Sequence, residues 1–527
     1  MTDRFLDVMV DQIAEGMKRK KEERFFRIQV ERPKYISMTY LERDTREATF
    51  LNGRPHSAEG TSQDTGADIR VLFGRASQGY GQGISVIPRM VRDPNTLEWN
   101  LKQSIDEAID DAFEDYGTRA SMSSKKKEPR DKRRVMVQHS KNETDEPYVS
   151  KKDILPSIPD RLKKRLEAWT HHMFWKDVYM RQAEASISSE RILRRFVDSE
   201  GRMIKDNLVS RRISISLEFK HSDNDETMIY DMPFAFPDWK SAERQLEGLL
   251  NRIEEDVDNI RFAKVLPSGS YPMVFDGMTT CTVLHEALYG HNTSATRWKN
   301  GGNNVWSNKV GKRITPVDLT IVDRPKDIGY LYDDEGIPTK VTEILDGGKL
   351  VGPLDTRDSA GYYNRSSNGH ARRAWVHDGG SPLECQPRPF NIKAFSKNPL
   401  PDDEVMKKAL DYARREGKEF VVYLKAYTGQ VDADAEDETP ATGRIDAENL
   451  LAYKIFVDGR EREHVDFFKI TDTPYELLKR FKAVGTNLAT SYGYCIDSSG
   501  PIPLQETGPM VFVSSVNVQS TRPVDEE

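Results

Sequence analysis

The chain has 527 residues, of which 37% are apolar and 31% charged, and a net charge of −7. It is too long for one ordinary core and predicts two or three domains, while the acidic balance argues against general nucleic-acid binding, which wants a basic face. No apolar run approaches the ~20 residues of a membrane span, and three cysteines (Cys281, Cys385 and Cys495) cannot make a disulfide framework, which points to a reducing cytoplasm.

Residues 1–25 read as an amphipathic helix and not as a signal peptide, because no apolar h-region follows a basic start. Residues 35–60 alternate like strands that turn at Asn52-Gly53, and residues 67–87 continue the β pattern with glycines at the turns. The stretch 97–116 places Leu101, Ile105, Ala108, Ile109 and Ala112 on one helix face. Residues 121–153 are polar, charged and nearly free of aromatics, so they read as a mobile, solvated insertion; no aromatics interleave with the basic cluster as stacking on nucleic acid requires.

A long helical region is predicted from Pro159 to Val197, then a half-buried strand over Arg212–Phe219. Asp238 can cap a helix whose Leu246, Leu249, Leu250, Ile253 and Val257 fall at helical spacing. Tyr271–Phe275 is a short buried strand that leads into the helix carrying His285 and Glu286. Beyond residue 300 the pattern is mostly strands with Gly/Pro/Asp turns, including 328–338, where Asp333, Asp334 and Glu335 read as a hydrophilic hairpin tip with a structural role. Residues 432–443 read as an acidic loop, and Leu477–Val484 as a short helix or turn. The expected fold class is α+β: an αβ-rich N-terminal domain over 1–265, with its polar insertion near 121–153, and a strand-rich C-terminal domain over 266–527.

The segment VLHEALYGH holds His285, Glu286 and His291. It resembles H-E-x-x-H but is two residues too long. Histidines at i and i+4 lie about 40° apart on a helix, whereas i+6 lies about 240° away. The two rings can share a metal only if the helix ends at Tyr289-Gly290, where glycine is free to take positive φ and let His291 arrive from a loop. On spacing alone, a metal pair and a buried histidine beside a surface one both remain open.

The segment also resembles the L-H-E-x-x-G-H motif of the TldD/PmbA family of zinc peptidases, with one extra residue before Gly290 that a bulge or a longer last turn must absorb. Ser199-Glu200-Gly201, the 332–338 segment, Asn368-Gly369 with Arg372-Arg373, Pro387–Asn391, Gly429–Asp432 and Gly493-Tyr494-Cys495 follow in the family's order. The resemblance implies that the C-terminal domain is a metallopeptidase. It further implies Zn2+ held by His285, His291 and Cys495, Glu286 as the base acting on an activated water, and His370, Arg372 and Arg373 lining the substrate site. Peptides or unfolded polypeptide segments would be substrates. The assembly would be a homodimer or a heterodimer with a PmbA-like subunit, without membrane or nucleic-acid partners. Cys281 reads as a small buried thiol and Cys385 as a loop thiol. The rival readings are a non-catalytic peptide-binding or partner subunit of the same fold, and a structural zinc protein. Glu286 argues against the latter, since a purely structural site needs no base.

Overall fold

The computed structural model describes residues 3–20, 32–75, 79–88, 90, 92–124, 137–140, 148–149, 154–222, 227–300, 306–374, 383–426 and 450–522. Its α+β fold is built on two large sheets. The first runs, in spatial order, through Gly79–Pro88, Arg54–Arg75, Tyr35–Leu51, Met180–Asp198 and Met203–Lys220, with Thr227–Ala235 also paired to the last of these. Its central hairpin turns where the sequence marks it. Asn52 (φ 52°) and Gly53 (φ 78°) both take the left-handed conformation that a tight hairpin turn demands. Helix Pro94–Ser124 lies on this sheet and buries Leu101, Ile105, Ala108, Ile109 and Ala112.

The second sheet is centred on the long strand Ile502–Ser520. That strand pairs antiparallel with Gly269–Phe275 and with Phe481–Cys495, and parallel with Asn391–Phe395. Strands Thr320–Asp323, Thr342–Asp346, Phe420–Ala426 and Leu450–Phe456 extend it to either side. Its core packs Met273, Phe275, Leu284, Leu288, Ile321, Ile392 and Val513 at zero exposure. Among the described residues, no helix is long and apolar enough to cross a membrane.

Several expectations need correction. The helix predicted over Pro159–Val197 covers only Asp160–Trp175, and Met180–Asp198 is a strand. The reason is a period of two: Ala183, Ala185, Ile187 and Ser189 are buried on one face, while the strand pairs along Tyr35–Leu51 from Ser37↔Asp198 to Leu51↔Glu184. The opening helix spans Arg4–Gly16, and residues 21–25 lie outside the described residues. The Leu477–Val484 expectation divides into helix Pro474–Lys479 and the start of the strand Phe481–Cys495. The acidic loop 432–443 lies outside the described residues.

Segment 328–338 is not a strand with an exposed acidic tip. Asp333 and Glu335 are buried at 1% and 4% exposure. The Asp333 carboxylate accepts hydrogen bonds from the backbone N–H groups of Glu335 (3.0 Å), Ile337 (2.8 Å) and Ala371 (3.0 Å). Asp334 pairs with Arg194 at 2.8 Å, and Glu335 with Arg70. These carboxylates join the turn to arginines on two strands of the first sheet, Met180–Asp198 and Arg54–Arg75, and the segment's polarity is the polarity of a buried ion network.

The 121–153 insertion also differs from a free solvated loop where it is described. Val137 bridges Tyr80, and the Gln138 N–H donates to Asp358 at 2.6 Å. His139 sits 3.2 Å from Glu200, with its ring 4.4 Å from that of Tyr35. Burial holds the His139 imidazole down at about 4, so it is neutral near pH 7. Arg357 donates to the Ser140 carbonyl at 2.8 Å and to Glu200 at 2.7 Å. Residues 137–140 therefore tie the first sheet to the helix Arg357–Tyr362. Replacing residues 125–153 by a short Gly/Ser linker is expected to cost about 1–3 kcal/mol, because the buried Arg357 loses a carbonyl acceptor. The midpoint of denaturant unfolding measures this; an unchanged midpoint would show that the tie is dispensable.

Candidate metal centre

The strand Gly269–Phe275 delivers Asp276, whose carboxylate caps helix Gly277–Leu284 by accepting the Thr279 N–H at 2.7 Å. The helix then widens into a single π turn over His285–Tyr289, closed by the Gly290 N–H on the His285 carbonyl at 2.9 Å. A π turn accommodates one more residue than an α turn, and this is the longer last turn that the extra residue before Gly290 requires. The helix ends at Tyr289, and His291 lies beyond it in a turn. The Asn292 side-chain amide holds that turn by donating to the Glu286 carbonyl at 2.8 Å.

Gly290 does not use positive φ; at φ −66° and ψ −45° it is right-handed. Its role is space. A Cβ there would lie 2.2 Å from His285 Cδ2 and 2.3 Å from Nε2. The glycine leaves the volume that the His285 ring occupies.

The result is a convergent set. One donor atom each from His285, His291 and Cys495 lies within 4.8 Å of the others, and all three residues are enclosed. Cys495 closes the strand Phe481–Cys495, with its Sγ 3.8 Å from His291 Nε2. His285 Nδ1 is 2.7 Å from Glu506 Oε1, and His291 Nδ1 is 3.4 Å from Asp497 Oδ2. Each imidazole is thus held by a carboxylate on one nitrogen and turns the other inward. Arg297 donates to Asp497 at 2.9 Å and keeps that carboxylate in place. Glu286 lies beside both rings, with Oε1 3.9 Å from His285 Nε2 and Oε2 3.8 Å from His291 Nε2. Its Oε2 is buried without a hydrogen-bond partner.

Burial pushes the Cys495 thiol up, but the two imidazoles and Arg388 outweigh it and hold the thiol well below its ordinary value. His291 is depressed by burial yet raised overall, to about 9, chiefly by Cys495 and Asp497. Glu286 is raised, because burial outweighs the attraction of the two histidines.

His370, Arg372 and Arg373 are gathered in the wall around the 333–338 turn. His370 Nδ1 is 3.1 Å from the Asn368 carbonyl and its Nε2 3.4 Å from Asp323. Arg372 donates to the Pro389 carbonyl and lies 4.2 Å from the Phe390 ring centroid. Arg373 pairs with Asp68 and lines a small cavity with Arg70, Glu335, Glu384 and Cys385. Sequence reasoning missed Glu506, Asp497 and Arg388. The last connects this wall to the cysteine loop: its N–H donates to the His370 carbonyl and its Nη1 to Ser499 Oγ, both at 2.9 Å.

Residues 268–520 match the family described as PmbA/TldA metallopeptidase C-terminal domain. A metalloprotease of Methanothermobacter thermautotrophicus is 25% identical over 370 residues, covering 69% of this chain and 75% of the relative. A metalloprotease TldD homolog of Buchnera aphidicola is 29% identical over 111 residues, 20% of this chain and 23% of that protein. The fold is similar to that of TldE from Thermococcus kodakarensis, with a TM-score of 0.62 at 16% identity, over 97% of this chain and 100% of that one. The C-terminal domain, residues 268–520, belongs to the TldD/PmbA family.

A metallopeptidase family implies a metal, and the residues present fit one. Four-coordinate bonds of 2.0–2.3 Å set tetrahedral donor atoms about 3.3–3.6 Å apart, a few tenths of an ångström closer than the 3.8 Å between Cys495 Sγ and His291 Nε2. Two imidazoles and a thiolate suit a borderline-soft divalent cation. The carboxylates on both Nδ1 atoms are the outer partners that orient metal-binding histidines.

Proposed function

We propose that this protein is a zinc-dependent peptidase that hydrolyses peptides or unfolded polypeptide segments. The observation that carries the reading is the unpartnered Glu286 Oε2, buried beside the convergent donors of His285, His291 and Cys495. These three residues would hold Zn2+, which when bound supplies Lewis-acid polarisation of oxygen groups. Glu506 and Asp497 fix the two imidazoles with Nε2 inward. Glu286, its carboxyl raised by burial, takes a proton from the attacking water and passes it to the leaving amine.

His370, Arg372 and Arg373 form part of the wall on which an extended peptide would lie, and the strand-rich surroundings suit main-chain recognition. The chain would divide into 1–265 and 266–527; the first sheet lies wholly in the former, while the second sheet is drawn from the latter apart from Lys264–Val265, which pairs with Glu463–Asp466. It works in the cytoplasm as a homodimer or with a PmbA-like subunit. The test is cleavage of unstructured peptides by zinc-loaded protein, which must disappear on chelation and return with zinc. Asp497→Asn is expected to weaken zinc binding about 10–100-fold by releasing the His291 ring, measured by competition with a chelator of known affinity. An unchanged affinity would remove Asp497 from the site.

A further inference from the structure

Arg388 is 1% exposed, yet most of its guanidinium is idle. Nη1 donates to Ser499 and lies 4.0 Å from Asp497, a carboxylate already engaged by Arg297 and His291. Among the described residues, nothing accepts from Nε or Nη2. Those two atoms form the side-on edge of a guanidinium, the pair of parallel donors that matches the two oxygens of a carboxylate. The same edge is filled elsewhere in this chain. Arg194 grips Asp206 through Nε (3.1 Å) and Nη2 (2.6 Å), and Arg165 grips Glu247 in the same way. Burying a cation with an empty fork is costly, and the neighbourhood adds to the positive charge. Arg372, 4% exposed, lies near enough for Arg388 to oppose its protonation in addition to the effect of burial.

We propose that the Nε/Nη2 edge of Arg388 is a carboxylate-binding subsite that anchors the peptide substrate beside the metal centre. The proposal rests on the peptidase reading above. Its position supports the role, since the opposite edge of the guanidinium holds Ser499 and faces Asp497, on the loop that follows Cys495. A carboxylate held there belongs to the chain being cleaved, either as its free C-terminus or as an aspartate or glutamate side chain. Arg373 pairs with Asp68 through Nη2 and Arg372 donates through Nη1 to a backbone carbonyl, whereas Arg388 has both Nε and Nη2 buried without an acceptor among the described residues.

The test uses the full chain, zinc-loaded, with Glu286→Gln to prevent turnover. Three probes are titrated by calorimetry: N-acetyl-pentaalanine as the free acid, its C-terminal amide, and that amide with glutamate as the fourth residue. One carboxylate-bearing probe is expected to bind about 10–100-fold more tightly than the plain amide. The free acid winning identifies a C-terminal anchor, and the glutamate peptide winning identifies a side-chain anchor. In Arg388→Lys, which keeps the charge without the fork, and in Arg388→Gln, the preference should vanish. If Arg388→Gln does not fold, Arg388→Lys decides alone. Equal binding of all three probes, binding of none, or a preference that survives in the variants overturns the subsite. Zinc content and cleavage of the amide by protein carrying native Glu286 test the peptidase reading separately.

Discussion

Glu286→Gln is expected to bind zinc at the wild-type level and to cleave peptides about 100- to 10 000-fold more slowly. The substitution keeps the side chain's size and removes its basicity. Glu286 is not one of the three convergent donors, and its Oε2 has no hydrogen bond to lose. The surrounding fold should therefore survive, since the contacts that build it come from the Glu286 backbone, whose carbonyl receives the Asn292 amide. Zinc content and steady-state cleavage of one unstructured peptide measure the two halves of the expectation. Cleavage at the wild-type rate would remove Glu286 as the base and overturn the proposed mechanism.

Gly290→Ala is expected to abolish zinc binding. By backbone propensity alone, alanine should be the better residue by about 1 kcal/mol, because the position is right-handed and lies at the end of a helical turn. The added methyl, however, would overlap the His285 ring at 2.2–2.3 Å from Cδ2 and Nε2. Nδ1 of that ring is held at 2.7 Å by Glu506, so the ring cannot yield without losing its orienting carboxylate. Displacement removes one of three donors, and the metal with it. Zinc content and the melting temperature of metal-free protein separate the causes. Lost zinc with little change in the metal-free melting temperature is the expected pattern; full zinc occupancy would show that the close approach is not required.

Local signals in the sequence were legible where one element decides the outcome. Asn52-Gly53 needs only its own backbone to make a turn, and the Leu101-to-Ala112 stripe needs only one helix and one sheet. Asp238 caps its helix through the N–H of Ser241, three residues on. The segment Met180–Asp198 was not legible, because a preceding helix and interspersed charges mask its alternation. Its long paired register with Tyr35–Leu51 overrides local preference. At the centre, the motif made a helix end at Tyr289-Gly290 necessary, but not the π turn that supplies it or the steric reason for the glycine. The orienting carboxylates lie 221 and 206 residues from their histidines. Among 85 acidic residues, nothing in the sequence marks Glu506 and Asp497; the hairpin after Phe481 brings them in together with Cys495.

The central claim is that His285, His291 and Cys495 hold one metal between them. The most direct test is the metal content per chain, measured by inductively coupled plasma mass spectrometry, of protein purified without chelator and of Cys495→Ala prepared alongside. The account predicts about one zinc per wild-type chain and a small fraction of that in the variant. A wild-type chain without metal, or a variant that retains as much zinc as wild type, would contradict it.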